Sequence, residues 1–162
     1  MDEVLEILQA LRDAPVLTGE AIVPLLEQRG WEPYRRAPAE PFYRPWHRGP
    51  GSLSIQYDPP KLRLAFTLWL RDFDEEEAAL GTGAYGDDLR QEGERAAREA
   101  ADEVVRRVPA AELPPVDIGA EYGEYLEEYF WTTGWRYGSR TLVVGAAQDD
   151  ADAPCVVYAL IY

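Results

Sequence analysis

A chain of 162 residues with 46% hydrophobic content is of ordinary single-domain size and needs neither disulfides nor metal to hold a core. Its formal net charge of -14 comes from 30 Asp+Glu against 16 Lys+Arg, with one histidine, His47, and one cysteine, Cys155. That balance argues against nucleic acid and anionic membrane as partners, and the scarcity of His and Cys removes internal disulfides and most nucleophile–base pairs.

Met1-Asp2-Glu3-Val4 carries acid where a signal peptide needs base, and no apolar run approaches the ~20 residues of a membrane span, so a cytoplasmic protein is expected. Val4, Leu5, Ile7, Leu8 and Leu11 recur at helical spacing and predict a helix over 2–13. A second helix is expected over 18–29, with Thr18 as N-cap, Leu17 and Ile22 as a hydrophobic staple, and Gly30 as the stop. Pro24 conflicts with that start and admits a later one near Ile22.

Residues 31–50 are rich in Pro, Arg and aromatics and read as a loop with one short extended piece, Phe42 to Arg48. Leu53, Ile55 and Tyr57 then alternate with polar residues. Beyond Asp58-Pro59-Pro60, Leu62, Leu64, Phe66, Leu68 and Leu70 do the same. Alternation across a short proline-containing connection predicts a hairpin with one buried face and an outer face carrying Lys61, Arg63, Trp69 and Arg71.

An acidic connection over 72–85 leads into the strongest helical segment, 87–108. Asp87 and Asp88 suit its first turn, Arg106 and Arg107 its last, and Pro109 ends it. Glu94–Arg98, Asp102–Arg106 and Glu103–Arg107 are i,i+4 pairs in the favourable order, and Leu89, Ala97, Ala101, Val104, Val105 and Val108 form a thin stripe suited to close packing on a sheet. Tyr122, Tyr125, Leu126 and Tyr129 give 121–130 the pattern of a short amphipathic helix, with a strand as the alternative that so many aromatics leave open. Strands are expected over 131–137 and 140–147, joined at Gly138-Ser139, and over 155–162, whose continuous apolar run suits an inner strand. The outline is one α+β domain spanning 1–162: a mostly antiparallel sheet of about five to six strands, two N-terminal helices and one long central helix.

Gly81-Thr82-Gly83-Ala84-Tyr85-Gly86 matches G-x-G-x-x-G, but no strand runs into its first glycine, and Asp87 and Asp88 stand where a pyrophosphate would sit. No calcium-loop spacing is present, His47 has no nucleophile placed beside it, and Cys155 lies inside an apolar strand. Paired carboxylates are the one enzyme chemistry that composition permits, and no motif selects a pair. No catalytic residue, cofactor or metal is therefore assigned.

Charge is uneven along the chain. Residues 31–71 hold three acids and seven bases, whereas 72–128 hold eighteen acids and five bases. The expectation is a small acidic binding protein, of the immunity-protein or inhibitor type, that occludes a basic toxin or nuclease, with Asp74, Glu75, Glu76, Glu77, Glu124, Glu127 and Glu128 as contacts. The alternative is a chaperone or adaptor that holds a partner segment on the sheet face of Lys61, Arg63, Trp69 and Arg71. Sequence leaves the oligomeric state open.

Overall fold

The computed structural model describes residues 1–34, 43–58, 61–74, 85–150 and 152–162. In chain order the elements are α1 (Asp2–Leu11), α2 (Gly19–Gln28), β1 (Glu32–Pro33), β2 (Tyr43–Arg48), β3 (Gly51–Asp58), β4 (Lys61–Arg71), α3 (Tyr85–Arg107), a 3-10 turn (Ala110–Glu112), α4 (Ile118–Tyr122), a second 3-10 turn (Gly123–Tyr125), β5 (Tyr129–Tyr137), β6 (Arg140–Ala147) and β7 (Cys155–Ile161). The expected α+β architecture is present. All pairings in the seven-stranded sheet are antiparallel, in the order β1-β2-β3-β4-β7-β6-β5. β7 is thus an inner strand, which explains its unbroken apolar run. No described helix is long and apolar enough to cross a membrane.

Local signals set most boundaries. The Thr18 hydroxyl accepts from the Ala21 amide at 3.2 Å, so α2 begins at Gly19 and carries Pro24 inside it. The later start near Ile22 is excluded. The cap is formed, and the carbonyl that Pro24 leaves unpaired belongs to exposed Glu20, where water can satisfy it. Gly30 ends the helix at φ 76°, and Gly138 turns β5 into β6 at φ 58°. In α3, Glu94–Arg98 forms at 2.6 Å and Glu103–Arg107 is also made, but Arg106 turns to Glu103 in place of Asp102. The segment expected as a helix over 121–130 is helical earlier and more briefly, over 118–125, and β5 begins at Tyr129. Asp117 supplies the reason, capping the Ala120 amide at 3.1 Å and nucleating the turn four residues upstream of the periodic tyrosines.

The two faces of the sheet are covered unequally. On one face α1, α2 and α3 bury Leu53, Leu64, Phe66, Leu142, Val144, Val157, Ala159 and Ile161 in the main core. On the other, α4 and its 3-10 extension form a strap whose Ile118, Tyr122 and Leu126 pack on Ala65, Val143, Leu160 and Tyr162.

The expected outer face of β4 is corrected by one residue. Pairing of β4 with β7 runs Thr67↔Tyr158 and then Trp69↔Val157, a β-bulge that leaves Leu68 without an opposite number. Because side chains alternate with period two, one inserted residue exchanges the faces downstream. Trp69 and Arg71 therefore point toward α3, where Arg71 pairs with Glu92, whereas Leu70 points to the strap side. Arg63, upstream of the bulge, stays on the strap side. Arg63 on one face and Trp69 and Arg71 on the other therefore do not form one basic-aromatic surface.

Candidate functional site

Arg63 is a structural cation. Its side chain is 12% exposed. The guanidinium donates to the Gln56 Oε1 at 2.6 Å, the Tyr125 carbonyl at 2.9 Å and the Tyr162 hydroxyl at 3.0 Å. It thereby clamps the strap to the sheet. Burial opposes its charge, but Tyr162, Tyr129 and Glu128 outweigh that and raise its pKa above the ordinary arginine value. The far side of the strap is held by Tyr122, whose hydroxyl donates to Thr141 Oγ1 at 2.7 Å, and by Arg136, which reaches Thr141 at 2.5 Å and Glu121 at 2.6 Å. The edge of β5 is closed by the approach to the strap: the Val116 amide donates to the Gly134 carbonyl and the Arg136 amide to the Pro114 carbonyl.

This clamp predicts an alkaline limit to stability. Burial, partly offset by Arg63, raises the pKa of both Tyr129 and Tyr162 above the ordinary tyrosine value of 10.0. The folded state keeps these phenols protonated at a pH where the unfolded chain has released them. Their contribution is thus complete below pH 10 and is lost as pH rises through the elevated folded values. The urea midpoint should be flat up to about pH 9 and fall above about pH 10, and Tyr129→Phe should flatten that fall. An unchanged alkaline slope in the phenylalanine variant would disprove the assignment.

The predicted acidic contacts land as follows. Glu124 and Glu127 are exposed on the strap, and among the described residues neither has an ion-pair partner. Glu128 stands 4.0 Å from Arg63 and belongs partly to the clamp. Asp74 is exposed just beyond β4, while Glu75, Glu76 and Glu77 lie outside the described residues, as does the side chain of Lys61.

Topology regroups the acid in a way that counting along the chain does not reveal. Leu70, Val156, Ala147 and Tyr129 form one rung across β4, β7, β6 and β5. Four strands at about 4.8 Å spacing span only about 15 Å. Each strand end at that rung is flanked by carboxylates: Asp72 and Asp74 after β4, Asp149, Asp150 and Asp152 in the β6–β7 connection, and Glu127 before β5. The start of α3 reaches the same end, because Arg90 donates to Gln148 at 3.2 Å and Arg71 pairs with Glu92, which brings in Asp87 and Asp88. Apart from Glu92, which is half-buried in its pair with Arg71, these carboxylates are exposed. Asp149, Asp150 and Asp152 read in sequence as a polar turn and nothing more; only the strand order makes them neighbours of Asp72. Of the bases at this pole, Arg71 is committed to Glu92, and Arg90 lies over the Phe130 ring at 5.4 Å.

Two other features compete for attention. A cavity of about 620 Å³ lies between α1 and the β3–β4 hairpin, with Glu3, Glu6, Trp31, Arg48 and Phe66 in its walls, but its cation and one carboxylate already pair at 3.6 Å. His47 meets the Tyr34 ring at a tilt of 49° with ring centroids 4.7 Å apart, an aromatic contact at the sheet edge. Comparison of the chain with protein-family models, with curated proteins and with solved structures finds no match.

Proposed function

We propose that this chain is an acidic binding protein, of the immunity-protein or inhibitor type, which neutralises a basic protein by charge-complementary occlusion. The observation that carries this reading is the convergence of exposed carboxylates from four separate chain segments on one pole of the sheet. Like charges held this close repel one another, so their grouping costs stability that a basic surface would return on docking. The same field steers encounter with a basic partner and repels nucleic acid. At this end of the sheet α3 is tied to β4 through Arg71–Glu92 and to the end of β6 through Arg90–Gln148, and carboxylates carried at the ends of paired strands favour a specific partner over diffuse counter-ion attraction. The sheet-face adaptor reading has no comparable support, since Arg63 is spent on the strap and Trp69 and Arg71 face α3.

The test is capture from native lysate at low and moderate salt, followed by assay of whatever elutes. A single basic protein should be retained at low salt and released as salt rises, and its activity should fall on addition of this chain. The Asp149→Lys/Asp150→Lys/Asp152→Lys variant should lose the capture. Retention of a partner by that variant, or a partner insensitive to salt, would remove the acidic pole from the mechanism.

A further inference from the structure

The strap covers only part of its face of the sheet. Ala65, Val143 and Leu160 lie under it and Tyr158 packs at its edge, but the rung toward the acidic pole is less covered: Leu70 is 51% exposed, and Val156 opposite it is half-buried. Leu70 owes this position to the bulge after Thr67, without which it would face α3. An exposed leucine on a sheet face, opposite a half-buried valine, is a small apolar step close in register to the carboxylates of the β6–β7 connection and of Asp72 beyond β4.

We infer that this step is the anchor of the docking surface, and that its occupant is a basic segment of a partner protein carrying an apolar side chain between its lysines or arginines. Charge complementarity selects that occupant: Leu70 lies two residues from Asp72, and its neighbour Val156 pairs with Ala147, two residues from Asp149, so a segment seated on Leu70 meets exposed carboxylates from both connections, which favours flanking cations and disfavours an acidic segment. The acids then supply encounter rate and register, and burial of Leu70 and Val156 supplies the slow step of release. The inference rests on the basic-partner reading above and adds to it the place and chemistry of the anchor.

Two synthetic peptides of equal lysine content test it, one with leucines between the lysines and one with serines in their place, titrated into the full chain at low and moderate salt. The leucine peptide should bind about tenfold more tightly. Leu70→Ser, an exposed substitution whose folding is checked by circular dichroism, should abolish that preference and leave the salt dependence intact. Asp149→Asn/Asp150→Asn should weaken both peptides alike. Equal binding of the two peptides to the unaltered chain, or a preference that survives Leu70→Ser, overturns the anchor while leaving the acidic reading in place. If neither peptide binds at low salt, both fall. If the unaltered chain sediments as a dimer and Leu70→Ser as a monomer, the occupant is a second copy and the proposal is overturned.

Discussion

Gly93→Ala should destabilise the protein by about 1–2 kcal/mol, although the same change at an open helical site would stabilise it by about 1 kcal/mol. Gly93 lies inside α3, where helix propensity alone argues for alanine. Tertiary contact reverses the sign. A Cβ on Gly93 would collide with the Cys155 sulfur and stand 3.4 Å from Phe130 and 3.8 Å from Trp69. Cys155 is fully buried on an inner strand, so the sulfur can move only by displacing the core. Burial also raises the thiol pKa, which keeps it neutral and chemically quiet at that contact. Thermal unfolding should show the loss as a drop of roughly 2–4 °C per kcal/mol for a chain of this size. Cys155→Ala should relieve the clash, so the double variant should be more stable than the sum of the single losses implies. Strict additivity would mean that the helix is held off the sheet by something other than this contact.

Arg63→Met should cost about 2–4 kcal/mol, a large effect for a polar residue. Methionine fills much of the volume of the arginine stem, so the loss isolates the guanidinium. It removes the hydrogen bonds that Arg63 gives to Gln56, the Tyr125 carbonyl and the Tyr162 hydroxyl beneath the strap. The urea midpoint should fall, and amide hydrogen exchange over 118–126 should accelerate more than exchange in α3. Arg63→Lys should recover little, because one ammonium cannot reach Gln56, Tyr125 and Tyr162 from a single position as the planar fork does. A loss below about 0.5 kcal/mol would show that apolar packing of Ile118, Tyr122 and Leu126 holds the strap unaided.

Local chemistry accounts for what was legible before the structure. The cap at Thr18, the stop at Gly30, the alternation in β3 and β4 and the charge gradient of α3 each depend on residues within a few positions of one another, and each produced the element expected. The short helix after Asp117 was misplaced because a capping side chain outweighed the tyrosine periodicity that followed it. Period-two alternation in β4 continues unbroken in sequence through Leu70, and nothing local marks the bulge. It arises from how β4 must pair with β7, a strand more than eighty residues further along the chain.

The acidic pole has the same origin. Composition, hydrophobic periodicity and local caps were sufficient to establish an acidic chain with an α+β fold, because those properties are sums over residues or patterns within one element. Which carboxylates stand together is a property of strand order. The insertion of β7 between β4 and β6 brings Asp72, Asp149 and Asp152 to one end of the sheet, and the bulge in β4 turns Leu70 outward beside them. Both are long-range pairings, chosen by burial of Val157, Ala159 and Ile161 in the core, and that choice is made only when the whole chain packs.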